Sequence, residues 1–246
     1  MSTENLLGNS HIETLSHIKM WGGSFPDYTI CLGQSEDGLP AMADASENQP
    51  LIVEGSETQN GHLIAMILSS ALEFNTRPIR EGRMRVVLIG ETQNIDSPMV
   101  QKISSDDNNA ISETLRVLCS KPTRNPDEII WHTAEEESPV VLLVIPDFSC
   151  ICLSSDDRNN LFEILSKSRE KGILPIIGFN VNQQGSKGSV LIRTLGFKYY
   201  HIKGADGKYD VYRGGFSTKN GFNFSFRIIS DSENELKASP ERELLH

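Results

Sequence analysis

Four short apolar runs, at residues 51–53, 86–89, 140–145 and 174–179, alternate along the chain with segments of helical periodicity. The runs show no polar alternation, which predicts strands covered on both faces of a sheet. Residues 63–74 are apolar on most faces of a helix. Residues 109–119 put Ile111, Leu115 and Leu118 on one side, with Ser112 and Glu113 outside. Residues 158–171 turn Leu161, Ile164 and Leu165 inward and stop at Lys171-Gly172. Strand and helix alternating at this spacing predict a mostly parallel sheet with crossover helices, an α/β fold. Two short strands, at 28–33 and 41–45, flank a turn at 34–40 ahead of this core. Behind it the pattern predicts a helix at 190–195 and a β-rich extension. There a strand at 198–202 turns through Asp206-Gly207 into 209–212, and a last strand at 222–229 alternates Phe222, Phe224 and Phe226. The expected division is a polar N-terminal arm at 1–27, in which Ile12, Leu15 and Ile18 are helically spaced, one domain at 28–229, and a flexible charged tail at 230–246.

Length and charge narrow the function classes. A chain of 246 residues can bury a sizeable core. Its formal net charge of -10 argues against a bulk electrostatic grip on nucleic acid, so direct nucleic-acid binding is not expected. No stretch approaches the roughly 18 apolar residues of a membrane span. The N-terminus lacks a basic segment followed by an apolar one, so no secretory signal is read there. Cys31, Cys119, Cys150 and Cys152 lack the spacing of a metal site. Cys150 and Cys152, following a very apolar run, are expected to be buried free thiols in a reducing cytoplasm. His132, beside Trp131, has no second histidine at ligand spacing, and no metal is expected. Asp106-Asp107 and Asp156-Asp157 read as helix-start residues. Gly214-Gly215 reads as a turn.

The segment after the first parallel strand runs Gly55-Ser56-Glu57-Thr58-Gln59-Asn60-Gly61-His62. A phosphate-binding loop of the form G-x-x-x-x-G-K-[ST] wraps phosphates with backbone N–H groups, reaches them with the lysine and holds magnesium with the hydroxyl. In register, only Gly55 matches; Asn60 stands at the second glycine, Gly61 at the lysine and His62 at the hydroxyl. Shifted by one, Gly61 becomes the glycine and His62 the lysine, but Leu63 cannot hold magnesium. Glu57 adds a negative charge where a triphosphate would lie. The third strand, VVLLVIPDF, carries Pro146 where a magnesium-binding aspartate belongs and Asp147 where the water-activating carboxylate belongs.

The stretch LGQSEDGLPAMADASENQPLIVEGSETQNGHLIAMILSSAL resembles the ATPase segment of the FtsK/SpoIIIE DNA translocases. Leu32-Gly33, Gly38, Pro40, Asp44 and residues 50–55 follow the family's lead-in, and 65–69 falls on its helix. Ile89-Gly90-Glu91-Thr92 stands at the end of the second strand. Residues 140–148 match its Walker B strand, with the losses named, and 158–180 match the following helix and sensor strand. There Phe179-Asn180 replaces Thr-Gln, so Asn180 keeps an amide without the hydroxyl. The likeness covers residues 28–203. The chain is similar also to the late ATPase domains of EssC/EccC type VII secretion motors, which can be degenerate; the short insert between the second and third strands suits that branch as well as the DNA pumps.

The resemblance implies a RecA-like P-loop NTPase three-layer sandwich. It implies a degenerate nucleotide-binding loop at Gly55, Thr58, Asn60, Gly61 and His62, a Walker-B-like Asp147 and a sensor-like Asn180, with no catalytic residue and no cofactor. On that reading the chain is a pseudo-ATPase, an interaction or regulatory subunit of a cytoplasmic DNA-translocation or secretion motor associated with a membrane. Its partners would be an FtsK-like or secretion ATPase and other motor proteins. The alternatives are a nucleotide binder without hydrolysis, using the helix N-terminus as an anion site, and an ATP- and magnesium-dependent translocase. The latter would borrow a lysine such as Lys187, Lys198 or Lys203. A flavodoxin-like domain with the same element order also fits.

Overall fold

The computed structural model describes residues 25–46, 49–92, 95–123, 139–180, 199–205, 208–214 and 221–228. Ten strands form one sheet: β1 (Thr29–Gln34), β2 (Pro40–Asp44), β3 (Leu51–Gly55), β4 (Met84–Ile89), β5 (Val100–Ile103), β6 (Val140–Ile145), β7 (Ile173–Asn180), β8 (Tyr199–Ala205), β9 (Lys208–Gly214) and β10 (Gly221–Arg227). Their order is β2-β1-β10-β9-β8-β3-β7-β6-β4-β5. From β8 to β5 every neighbouring pair is parallel. From β2 to β8 every pair is antiparallel. The extension behind the core and the two strands ahead of it therefore join in one antiparallel wing, grafted onto the core through β8.

Helix α1 (Glu57–Phe74) lies on one face, and α3 (Asn108–Cys119) and α4 (Ser155–Ser166) pack on the other. The short helix α2 (Thr76–Arg80) follows α1 and the short helix α5 (Ser168–Lys171) follows α4. This is the three-layer α/β arrangement expected. Alternate residues of the parallel strands feed two cores. Leu51, Val53, Val86, Leu142 and Ile176 meet α1, while Ile52, Val87, Leu143 and Ile177 meet α3 and α4. Fully burying each such side chain contributes about 1.5–3 kcal/mol, so β6, buried at all six positions, has no polar side chain to present. The side chain of buried Ser70 ties α1 to β1 by accepting from the Cys31 amide at 2.8 Å.

Several elements differ from the sequence reading. Helix α1 starts at Glu57 rather than 63, because Ser56 caps it. The 158–171 helix starts at Ser155 and breaks at Lys167 into α4 and α5. Its cap is Ser154, with Asp157 completing the box and also accepting from Ser112 of α3 at 2.9 Å. Strand β5 and helix α2 have no counterpart in the sequence pattern, since four and five residues are too few to show a period. Cys150 and Cys152 are free but exposed, not buried. The chain there alternates, with Ile151 and Leu153 inward and the thiols outward. Phe25 packs on Phe74 with centroids 4.4 Å apart and rings tilted by 36°, and Asp27 pairs with Arg77 and Arg83, so residues assigned to the arm are docked. The predicted helix at 190–195, His132 and Lys187 and Lys198 lie outside the described residues, as do most of the arm and the tail. No helix among the described residues is long and apolar enough to cross a membrane.

Candidate functional site

In an open parallel sheet, ligands sit beyond the carboxyl ends of the strands where the strand order reverses. That place is the edge formed by the ends of β3, β7 and β6, facing the start of α1. Gly55 and Asn180 are register partners there.

The expected turn from Gly55 to His62 is one residue long. Ser56 Oγ accepts from the Gln59 amide at 3.3 Å, and Gln59 Oε1 accepts from the Ser56 amide at 3.1 Å. This reciprocal capping box starts the helix at Glu57. Thr58, Asn60, Gly61 and His62 are therefore helical, and their amides are not splayed around an anion. The Ser-x-x-Gln signature was present in the sequence and would have placed this start.

Asn60, only 4% exposed, reaches back from the helix to the sheet. Its Nδ2 donates to the Phe179 carbonyl at 2.8 Å. Its Oδ1 is buried and has no partner among the described residues. Gly55 is a glycine because of this side chain: a Cβ there would lie 2.9 Å from Asn60 Oδ1 and 3.2 Å from Gln59 Oε1. Pro146 fills the neighbouring space. A Cβ on Gly178 would lie 1.9 Å from the Pro146 carbonyl oxygen, which turns over β7 toward Ile64 of α1. From the wing, buried Tyr209 donates its hydroxyl to the Gln59 carbonyl at 2.8 Å, fixing the same first turn. Protein atoms thus occupy the gap between strand ends and helix.

Asp147 serves a local turn. Its Oδ1 accepts from the amide and hydroxyl of Ser149 at 2.8 and 2.5 Å, capping the 3-10 turn Phe148–Cys150. Its Oδ2 is 3.3 Å from Cys150 Sγ. Burial first, then the hydrogen bond to Asp147, push that thiol's pKa up, so it is not an activated nucleophile. His62 is half-buried, and burial pushes its pKa down. Glu57 and Thr58 are exposed on the rim. No group of three or more histidine, cysteine or acidic residues able to hold a metal is found among the described residues. Lys203 is exposed, with its ammonium 5.8 Å from the Tyr212 ring centroid.

Gly61 gives a direct test of this geometry. Space for a Cβ is open there, with nothing within 4 Å. Gly61→Ala will stabilise the fold by about 1 kcal/mol, because alanine is the better helix residue. Denaturant titration would read this as a higher midpoint at unchanged slope. A destabilised variant would mean that Gly61 needs a non-helical conformation after all.

No local pattern marks the pair Glu54–His201. Glu54 of β3 and buried His201 of β8 meet at 2.7 Å, across the seam between core and wing. Burial lowers the His201 pKa, and Lys203 adds to this, while Glu54 opposes it. The unfolded chain therefore binds the proton more readily. This contribution to stability is complete above the ordinary histidine pKa of 6.5 and is lost as pH falls below it. His201→Gln should flatten the pH dependence of the denaturation midpoint between about pH 7 and 5. An unchanged slope would remove His201 as its source.

No protein-family model matches this sequence, and no curated protein matches it. Solved structures do. The chain has the fold of an FtsK/SpoIIIE-like ATPase domain. It is similar to the cytoplasmic domain of the Thermomonospora curvata type VII secretion ATPase EccC, with 16% identity and a TM-score of 0.54 over 83% of this chain and 27% of that one. It is also similar to the cytoplasmic domain of EssC, with 11% identity and a TM-score of 0.55 over 87% of this chain and 46% of that one. A third is the pCW3 conjugation coupling protein TcpA, solved as a monomer with ATPγS, with 12% identity and a TM-score of 0.54 over 86% of this chain and 70% of that one. At such identities the likeness is one of fold. The chain spans 27% of the EccC structure and 46% of the EssC structure.

Proposed function

We propose that this chain is a catalytically inactive member of the FtsK-like fold, a pseudo-ATPase that acts as an interaction or regulatory subunit of a cytoplasmic DNA-translocation or secretion motor. One observation carries the reading. The strand-to-helix connection is a single capped residue, Ser56, so there is no loop to wrap a triphosphate. Three further features support it: the missing lysine and hydroxyl, Pro146 in place of the magnesium aspartate, and Asn60 filling the gap. The secretion and conjugation motors among the similar structures suggest the kind of assembly. On this reading the unit is residues 28–229, and the edge at the strand ends meets a protein partner.

The test has two arms. Titration of the full chain with Mg-ATP will show no saturable heat up to about 1 mM, the range of a weak site near 4 kcal/mol. Saturable binding would favour the nucleotide-binding alternative, and turnover abolished by Asp147→Ala would overturn the proposal. In the second arm the chain is purified at native salt from its source cells. Co-elution with an FtsK-like or secretion ATPase is expected, and recovery of the lone chain would count against a motor role.

A further inference from the structure

A second surface lies away from the strand ends, at the start of β4 and β6. Val87 and Ile89 of β4 face α3, and Arg85 shares their side of the strand because alternate residues share a face. Val141 of β6 is the register partner of Arg85, and Gln101 of β5 is that of Val87. On this face β4, β5 and β6 are apolar except at Arg85 and Gln101. A cavity of about 410 Å³ opens here between the sheet and the last turns of α3. Val87, Val141 and Leu118 form its buried apolar floor, and Val117 stands beside them 46% exposed.

The side chains of Arg85, Gln101 and Thr114 line this cavity without a hydrogen-bond or ion-pair partner among the described residues. Lys121 adds a second positive charge at the rim, where it donates to the Pro139 carbonyl at 2.7 Å. The one carboxylate on the lining, Glu113, is held by both nitrogens of Arg116 at 2.7 and 2.9 Å, so its charge is largely answered. An apolar hollow of a few hundred Å³ with a few converging polar groups is the usual form of a small-molecule site. The unanswered charge here is positive, and the planar fork of a guanidinium matches a carboxylate. We propose that this cavity binds a small amphiphilic monocarboxylate. Its apolar chain lies over Val87 and Val141 beneath α3, and its carboxylate meets Arg85 at the rim. The ligand touches one face of the sheet only, the face that Arg85, Val87 and Val141 share. The site is separate from the strand-end edge and does not rest on the motor reading.

The probe is octanoate, titrated into the full chain and read by calorimetry. Octylammonium, with the same chain and the opposite charge, is the charge control, and acetate is the control for the apolar chain. Octanoate is expected to bind saturably, at least about tenfold more tightly than either control. In a spectrum of the chain labelled at its valine methyls, the largest shifts should fall on Val87, Val117 and Val141. Arg85→Gln, an exposed change that leaves the core intact, should weaken octanoate by about tenfold and leave octylammonium unchanged. Thr114→Phe should weaken octanoate by a similar factor by filling the space under α3, and thermal unfolding checks that both variants fold. Equal binding of octanoate and octylammonium, no saturation up to about 1 mM, or binding that survives both variants would overturn the proposal. Sedimentation as a dimer that Arg85→Gln dissociates would assign the cavity to a second copy. Binding that appears only after residues 124–138 are replaced by a glycine-serine linker would assign it to the chain itself. Either result also overturns the proposal.

Discussion

Gly178→Ala will be less stable than the parent chain by about 3 kcal/mol or more, at the upper end of what overpacking costs. The new Cβ would sit 1.9 Å from the Pro146 carbonyl oxygen and 2.9 Å from its carbonyl carbon. Both are backbone atoms, so no rotamer change relieves the contact. The end of β6 would have to move off β7, breaking the pairing that ends at Ile145 and Ile177. Equilibrium unfolding in urea should show the loss as a lower midpoint, with the slope near that of the parent. A loss below about 1 kcal/mol would mean that the Pro146 carbonyl does not lie over β7. The gap between strand ends and α1 would then be more open than described, and the case against a bound triphosphate would weaken with it. Gly178→Ala and Gly61→Ala thus test the same site with opposite expected signs.

Lys171→Ala is expected to cost about 2–5 kcal/mol, roughly 1–3 for each of two carbonyls left without a donor. Lys171 is 3% exposed. Its ammonium donates to the carbonyls of Cys119 at 2.5 Å and Lys121 at 3.1 Å, and lies 3.5 Å from Glu163. Cys119 ends α3, so the positive charge sits where unpaired carbonyls and the negative end of the helix dipole converge. Alanine would strand two carbonyls and leave a hole. Lys171→Met separates these causes, because it refills the hole without donating. Thermal unfolding of both variants decides the matter. If methionine restores most of the stability, packing rather than the hydrogen bonds is responsible.

Both residues show how far the sequence could be read. Lys171-Gly172 was legible as a helix stop, and Gly172 does adopt the left-handed conformation, with φ 61°. That the lysine turns inward to hold the end of a different helix was not legible, because its acceptors lie some fifty residues away. Gly178 was simply one residue of an apolar run. Its need to be glycine comes from β6, through the direction of one carbonyl.

The candidate site divides in the same way. Its missing chemistry could be read directly: no lysine after Gly61, no aspartate at Pro146, an acid at Glu57. The loop expected at Gly55 to His62 is instead a helix start, because the Ser56–Gln59 cap outweighs the glycines as a local signal. The Asn60 tether to Phe179, the Tyr209 contact from the wing and the Glu54–His201 pair join residues 119 or more positions apart. No local pattern encodes such contacts.

By itself the sequence determined the α/β class, the parallel core and the absence of a lysine and a hydroxyl residue directly after Gly61. These follow from residue identity and from periods of two to four residues, which are local properties. Only the tertiary structure decided that the strand-end gap is filled, that Cys150 and Cys152 face outward, and that β5 is the last strand of the sheet. Those outcomes depend on which strand lies beside which and on where backbone carbonyls turn. They are fixed by packing between distant segments rather than by any one of them.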